Sequence, residues 1–241
     1  MDEAHTMLWG LEFRKAMLHI KGFIKRLKNR PVIAAFTATA NRDTINFIIK
    51  YLGLKKPFLI KRLPVNDNNK ITCIRGDSKA ILERLLEKNN TGRVIIYAIT
   101  RKRVMDIYNT YKKDYNITYY HGDLERDVKV KNQEMFARGS KNIIVATVAF
   151  GMGIDIKDIR TIILYDLPLT LADLIQEIGR AGRDGKACNS FIILSKEGLK
   201  LADGLIKKSS DVRKAEQEFD QVISYFYSRK KKKFLEKYFD F

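Results

Sequence analysis

The chain has 241 residues, of which 45% are hydrophobic and 31% are charged, and its formal net charge is +18. This length suits one large domain or one domain with attachments, and the apolar content argues against intrinsic disorder. No apolar run approaches the roughly 20 residues of a membrane span and no signal-peptide pattern is present, so we expect a soluble protein of the cytoplasm, nucleoid or nucleus without membrane contact.

The excess of positive charge predicts a polyanionic partner. Nucleic acid is the first candidate, although charge alone leaves anionic lipid open. The two cysteines, Cys73 and Cys188, are far apart and outside any Cys-x-x-Cys spacing, which supports neither a disulfide framework nor a cysteine zinc site. The three histidines are scattered as well, so no metal cluster is predicted from them.

The first 69 residues contain short predicted elements and end in an irregular connection. Apolar residues at helical spacing cover 13–27, a strand is predicted over 31–36, and a second helix over 43–51. Small residues, Thr37-Ala-Thr39-Ala40, follow the strand. Prolines and an Asn-Asp-Asn-Asn run over 55–69 indicate a hinge between two lobes.

From Lys70 onward, strand and helix patterns alternate regularly. This alternation predicts an α/β fold with a doubly wound, mostly parallel sheet flanked by helices. The predicted strands lie near residues 71–74, 93–99, 117–121, 142–148, 161–166 and 189–194. The predicted helices lie near residues 78–88, 102–113, 126–138 and 171–180. Open sheets of this class bind ligands at the carboxyl ends of their strands, so the loops after the strands form the expected site.

Residues 176–185 read Gln-Glu-Ile-Gly-Arg-Ala-Gly-Arg-Asp-Gly and follow an amphipathic segment. The pattern predicts that a helix delivers the guanidinium groups of Arg180 and Arg183 to one spot at the carboxyl-terminal rim of the sheet. Guanidinium binds oxyanions through paired hydrogen bonds, and the neighbouring glycines allow a ligand to approach the backbone. We interpret the turn as a phosphate contact, and the alternative is a solvated basic turn.

These motifs, in this order, resemble those of the RecQ family of superfamily 2 ATP-dependent DNA helicases. Asp2-Glu-Ala-His5 is similar to the Walker B (Asp-Glu-Ala-His) box. The other matching stretches are 37–40 (third motif), 94–101 (fourth motif), 120–124 (the Tyr-His-Ala-Gly-Leu element), 143–155 (fifth motif) and 176–185 (sixth motif). DEAD-box RNA helicases usually have Ala-Arg-Gly-x-Asp in the fifth motif and His-Arg-x-Gly-Arg-x-Gly-Arg in the sixth. In this chain, the Phe-Gly-Met-Gly loop at 150–153 and the Gln-Glu opening at 176–177 favour RecQ.

The resemblance implies ATP and Mg²⁺ as cofactors. Asp2 would help to hold the magnesium ion of the nucleotide, and Glu3 would position or activate the attacking water. Arg183 is the predicted arginine finger and Arg180 its partner on the phosphates. The remaining implied nucleotide-binding residues are Gly153, Asp155 (a hydrogen bond to the ribose), Gln176 and Gly179.

The resemblance also implies contacts to DNA. Trp9, Phe13 and Arg14 belong to an aromatic-rich loop that would sense single strands, because aromatic rings stack on any base. That loop is one residue shorter than usual, and Leu11 stands where the family usually has histidine, so Trp9 as a plain core residue stays open. The backbone contacts implied at the strand ends are Thr100, Arg101, His121, Gly122 and Thr147. For His121, a purely structural histidine is an equal alternative.

By this resemblance the chain divides into four regions. They are the remnant of a first RecA-like lobe (1–56), an interlobe linker (57–69), a complete second RecA-like lobe (70–196) and the helical start of a RecQ C-terminal region (197–241). The last resembles a zinc-binding subdomain, but Phe226 and Lys231 stand near the positions of its first cysteines, so no zinc site is expected. Its basic run, 229–233, either binds DNA phosphates or forms a solvated helix face.

No Gly-x-x-x-x-Gly-Lys-Ser/Thr loop, which anchors magnesium-ATP, occurs in the chain. We therefore expect a helicase fragment that begins at the Asp-Glu-Ala-His box and hydrolyses ATP only when the missing first-lobe portion is supplied, in the same polypeptide or in trans. For the intact enzyme the resemblance implies ATP-driven unwinding of DNA with 3′–5′ polarity, on single strands or tailed duplexes, in repair and recombination. The alternatives are a non-catalytic single-stranded nucleic-acid-binding module, including a truncated gene product, and an RNA helicase of DEAD-box type.

Overall fold

A computed structural model of the chain describes residues 1–5, 7, 19–37, 39–64, 66–88, 92–151 and 156–240. The chain folds into two compact units, one of residues 1–64 with 230–241 and the other of residues 65–229. The helical region predicted over 197–241 is thus divided between the two units. No helix within the described ranges is both long enough and apolar enough to cross a membrane.

The first unit has a small apolar core. Its helices are α1 (His19–Arg26), α2 (Arg42–Leu52) and, at the other end of the chain, α9 (Lys231–Phe239). Buried side chains of Ala4, Met7, Ile48 and Leu52 form the core cluster. The helix predicted over 43–51 is confirmed as α2, where Asn41 caps the first turn by accepting a hydrogen bond from the Thr44 amide.

The strand predicted over 31–36 does not form: in the described part of the chain, residues 31–37 belong to no sheet. From Val32 to Thr37, exposed and half-buried side chains nevertheless alternate, as on a strand with one covered face. Backbone hydrogen bonds join these residues to the start of the chain: the Phe36 amide donates to the Met1 carbonyl at 2.8 Å, and the Ala4 amide donates to the Phe36 carbonyl at 2.9 Å. A regular strand needs a hydrogen-bonding partner along its length, and residues 1–4 bond to only part of 31–37.

An apolar groove lies within the first unit. It is lined by residues 31–37 and 57–62 together with Ile45, Ile49 and Phe239, and has a volume of about 690 Å³. Val32 is fully exposed on it, and Phe58 and Ile60 are also exposed. Contiguous exposed apolar residues of this kind mark a surface that another part of a protein covers.

The second unit is built, over its described residues, on a six-stranded sheet in which all neighbouring strands are parallel. The strands are β1 (Asn69–Arg75), β2 (Arg93–Tyr97), β3 (Ile117–Tyr120), β4 (Ile143–Ala146), β5 (Ile159–Leu164) and β6 (Cys188–Leu194). Their order across the sheet is β1-β6-β5-β2-β4-β3. Each lies where the sequence pattern predicts a strand, so the parallel α/β sheet is confirmed.

Helices pack on this sheet through their apolar faces. The helices of the unit are α3 (Ser78–Lys88), α4 (Arg101–Tyr111), α5 (Arg126–Ala137), α6 (Leu171–Ile178), α7 (Lys196–Ile206) and α8 (Val212–Tyr227). Leu82 and Leu86 of α3 and Val104 of α4 join the core with strand residues such as Ile96 and Val145. All four residues of β4 are apolar and buried, as expected for a parallel strand that is covered on both faces. Each fully buried aliphatic side chain stabilises the fold by about 1.5–3 kcal/mol.

The topology decides which loops meet. Ala146 at the end of β4 is in register with Tyr97 at the end of β2 and with Tyr120 at the end of β3. Because the three strands are parallel neighbours, the loops that leave their carboxyl ends lie side by side.

Candidate nucleic-acid and nucleotide sites

A shallow hollow of about 570 Å³ lies at the carboxyl ends of β2, β3 and β4. Its lining consists of Ile99, Thr100, Arg101, Lys102, Gly122, Asp123, Thr147 and Ala149. Thr100 caps α4, its Oγ1 accepting a hydrogen bond from the Arg103 amide at 3.2 Å. The amino end of a helix attracts anions, because its first amides lack partners within the helix. The structure therefore brings four of the predicted DNA contacts together: Thr100, Arg101, Gly122 and Thr147.

The hollow has a mixed charge. Arg101 and Lys102 are exposed beside it, and Lys129 of α5 donates a hydrogen bond to the Gly122 carbonyl. The guanidinium of Arg101 forms an ion pair with the carboxylate of Asp123. This acidic partner was not predicted from the sequence. The Tyr-His-Ala-Gly-Leu element has glycine where this chain has Asp123.

His121 lies next to the hollow without lining it. Burial lowers the pKa of its imidazole, and the charges of Arg101 and Lys129 lower it further. Its Nδ1 is buried and has no hydrogen-bond partner among the described residues. A histidine with a lowered pKa is neutral at pH 7, so His121 contributes hydrogen-bonding atoms and no charge. The other predicted DNA contacts, Trp9, Phe13 and Arg14, lie outside the described residues.

The Gly-Arg-Ala-Gly-Arg turn that follows α6 lies at the opposite edge of the sheet. The Gly182 amide donates to the carbonyl of Ile159, the first residue of β5, at 3.0 Å. The Asn69 side chain, at the start of β1, donates to the Ile178 carbonyl at 2.9 Å. The prediction that this turn lies at the carboxyl-terminal rim is therefore wrong. Helix α6 connects two parallel strands, so it must return the chain to the edge where strands begin.

The two arginines of the turn have different environments. Arg180 is only 6% exposed, and its Nη1 donates to the Gly151 carbonyl at 2.6 Å. Gly151 has φ of +129°, and a Cβ at this position would lie 2.1 Å from Cζ of Arg180. In the same region the Tyr97 hydroxyl donates to the Phe150 carbonyl at 3.2 Å. Arg180 thus ties the turn to the loop after β4, whereas Arg183 is exposed.

Glu177 adds a buried carboxyl group to this region. Burial raises its pKa well above the usual value, the charge of Asp173 acts in the same direction, and Arg180 opposes both. Its Oε2 has no hydrogen-bond partner within the described ranges. Gln176 is half-buried on the same helix, and Gly179 ends it with its amide donating to the Ile175 carbonyl at 2.9 Å. Gly153 and Asp155, also predicted to bind nucleotide, lie outside the described residues.

Asparagine side chains from the predicted hinge hold the turn in place. The Nδ2 of Asn68 donates to the Gly182 carbonyl at 2.8 Å and to the Lys186 carbonyl at 2.6 Å. Asn66 donates to the Ala181 carbonyl at 3.1 Å. Sequence reasoning missed this role and assigned these residues to an irregular connection. No local pattern could have revealed it, because the partners are more than 100 residues apart along the chain.

The acidic box at the start of the chain contacts the Thr37 segment. His5 Nδ1 lies 2.7 Å from Thr37 Oγ1 and 3.3 Å from Glu3 Oε2, while Asp2 is exposed. In the described part of the chain, no three His, Cys, Asp or Glu side chains are arranged to hold a metal ion. The box does contain two adjacent carboxylates, Asp2 and Glu3, and carboxylate oxygens are ligands that Mg²⁺ takes in proteins.

Comparisons with known proteins identify relatives of this chain. Residues 77–185 match the family model described as the helicase conserved C-terminal domain. The chain is 32% identical over 225 residues to the ATP-dependent DNA helicase RecQ of Bacillus subtilis, a match that covers 92% of this chain and 38% of that protein. The chain belongs to the RecQ family.

Two further similarities bear on this RecQ-family chain. It is 36% identical over 200 residues to a putative ATP-dependent RNA helicase of Acanthamoeba polyphaga mimivirus, with 79% of this chain and 36% of that protein covered. The structure of Saccharomyces cerevisiae Dbp5 bound to RNA and ADP BeF3 has a TM-score of 0.71 and 21% identity, with 93% of this chain and 62% of that chain covered. The second likeness concerns the fold, and with the helicase domain match it confirms the predicted RecA-like class. The RecQ-family chain spans about two fifths of the length of the B. subtilis relative.

Proposed function

We propose that this chain forms the second lobe (70–196) and part of the first lobe (1–56) of a DNA helicase that couples ATP hydrolysis to unwinding with 3′–5′ polarity. The hollow at the carboxyl ends of β2, β3 and β4 is the observation that carries the proposal, because it combines Thr100, Arg101 and Thr147 at the amino end of α4. Hydroxyls, backbone amides and guanidinium bind phosphates without reading bases. A protein that moves along DNA needs contacts of this kind.

Binding of single-stranded DNA by the chain alone tests this part of the proposal. Fluorescence anisotropy with a labelled oligothymidine should give an affinity that falls steeply with salt. Arg101→Ala should weaken binding severalfold and reduce the slope of log K against log salt by about 0.7, the value for one phosphate contact on a single strand. Arg84→Ala, a matched change of an exposed arginine on α3, should leave both unchanged. Equal effects of the two substitutions would contradict the assignment of the hollow.

ATP and Mg²⁺ are the proposed cofactors of the intact helicase. Asp2 would help to hold the magnesium ion, and Glu3 would orient the attacking water. The ion would neutralise charge on the phosphates. We assign the arginine finger to Arg183, because its side chain is exposed on a turn anchored by Asn68. Arg180 supports that turn through Gly151 and is the less accessible of the two to phosphate.

The apolar groove of the first unit is the proposed contact surface for the rest of the first lobe. Residues 31–36 are entirely apolar, a pattern typical of a parallel strand buried on both faces, yet Val32 and Phe36 are exposed. Strands and helices of the first lobe would cover these side chains, whether they belong to a longer polypeptide or are supplied in trans.

Reconstitution tests the catalytic part. The chain is mixed with a RecQ-family first-lobe polypeptide that carries the Gly-x-x-x-x-Gly-Lys-Ser/Thr loop, and DNA-stimulated ATP turnover is measured. We expect turnover in the mixture only, and a loss on the order of a thousandfold or more for Arg183→Ala but not for Arg213→Ala, an exposed arginine of α8. Turnover by the chain alone that survives Arg183→Ala would refute the assignment of the finger.

Two alternatives remain as outcomes of these experiments. DNA binding without turnover in any mixture would indicate a non-catalytic nucleic-acid-binding module. Stronger competition by single-stranded RNA than by DNA of the same length would indicate an RNA helicase.

A further inference from the structure

The hollow contains one group that repels its proposed ligand. Arg101, Lys102 and Lys129 bring positive charge to it, whereas the Asp123 carboxylate on its lining is negative. Asp123 is the ion-pair partner of Arg101, the guanidinium best placed to bind a phosphate at the amino end of α4.

The ion pair is a surface contact that a ligand can displace. The side chain of Arg101 is 61% exposed and that of Asp123 is 55% exposed. Exposed pairs of this kind are weak, because water screens the charges and both side chains lose rotamer freedom when they pair. A phosphate offers the same guanidinium an acceptor with comparable geometry and a similar charge-assisted hydrogen bond. The carboxylate and a phosphate therefore compete for one group.

We propose that Asp123 sets the affinity of the hollow for nucleic acid by competing with backbone phosphate for Arg101. This inference rests on the proposed nucleic-acid function of the hollow. When a phosphate binds Arg101, the Asp123 carboxylate loses its partner and lies close to a second negative charge. When the phosphate leaves, the carboxylate pairs with Arg101 again. Asp123 thus weakens binding and favours release of the strand.

Replacing the carboxylate by an amide of the same shape tests the proposal. Asp123→Asn should bind an oligothymidine of about 15 nucleotides roughly fivefold more tightly at 0.1 M salt, since Arg101 is released from its partner and a like charge is removed. The slope of log K against log salt should become steeper, by less than the about 0.7 of a full phosphate contact, because Arg101 is no longer shared with a carboxylate. Asp220→Asn, the same change at an exposed position on α8, is the control and should alter neither quantity.

A double-substitution cycle separates competition from general electrostatics. In an Arg101→Gln background, Asp123→Asn should tighten binding by clearly less than the roughly fivefold expected in the wild-type background, because the contested group is absent and only the removal of a like charge remains. Tightening of the same size in both backgrounds overturns the competition, as does an Asp123→Asn variant that binds no better than the control. Asp123→Ser serves as a second variant and should also tighten binding, and circular dichroism establishes that each protein is folded. A wild-type chain that binds no single-stranded DNA overturns the proposed function and this inference with it.

Discussion

Adding one methyl group at Gly151 should destabilise the second unit more than a change in backbone preference can explain. Gly151 has φ of +129°, so any side chain there strains the backbone by about 1 kcal/mol or more. The new Cβ would also lie 2.1 Å from Cζ and 2.5 Å from Nε of Arg180. The guanidinium would have to move and would lose its buried bond to the Gly151 carbonyl, a charge-assisted interaction worth about 1.5–3 kcal/mol.

Gly185 provides a matched control, because it has φ of +80° and a Cβ there would meet no atom within 4 Å. We expect Gly151→Ala to lower the free energy of unfolding by about 3–4 kcal/mol and Gly185→Ala by about 1 kcal/mol. Urea unfolding followed by circular dichroism measures both, and a difference of 2 kcal/mol moves the midpoint by about 1 M. Hydrogen exchange of peptides from 65–229 assigns the loss to the second unit, since two units need not unfold together.

The clash is isolated by removing the guanidinium. In an Arg180→Ala background, Gly151→Ala should cost only the backbone part, which corresponds to a coupling of about 2 kcal/mol between the two positions. Additive effects of the two substitutions, or equal losses for Gly151→Ala and Gly185→Ala, would refute the reasoning that Arg180 ties the α6 turn to the loop after β4.

Three further predictions concern polar side chains of the second unit. Asn68→Ala removes two hydrogen bonds to the α6 turn and should lower the free energy of unfolding, measured in urea, by about 2 kcal/mol. The control Asn116→Ala loses one exposed hydrogen bond and should lower it by about 1 kcal/mol or less. Equal losses for the two substitutions would count against an anchoring role of Asn68. The raised pKa of Glu177 means that the folded state holds a proton that the unfolded state releases as the pH rises above 4.5, so the stability of the fold falls with increasing pH. Glu177→Gln should therefore raise the melting temperature at pH 8 and leave it nearly unchanged at pH 4.5. A lower melting temperature of this variant at pH 8 would contradict the argument. Arg103→Met removes the cation 3.5 Å from the fully buried carboxylate of Asp166 and should cost about 3 kcal/mol in urea unfolding, part of which Arg103→Met combined with Asp166→Leu should restore.

Much of the second unit could be predicted from its sequence. The strands β2 and β4 each contain a run of three β-branched residues, and such runs are stable only when both faces are covered. The hollow could be anticipated for the same reason, because Thr100 and Thr147 follow parallel strands and must emerge at one edge. The acidic partner of Arg101 could not be, since a loop residue gives no sign of the direction in which its side chain points.

The sequence by itself determined the order of strands and helices, the family, and the residue types available to bind phosphate, because periodicity and motifs are local properties of the chain. Only the tertiary structure decided which edge of the sheet carries the turn after α6, which arginine is buried, and which distant asparagines hold the turn. These outcomes depend on contacts between residues far apart in the chain, and their energies arise when the sheet has formed and the carbonyls of the turn must find donors.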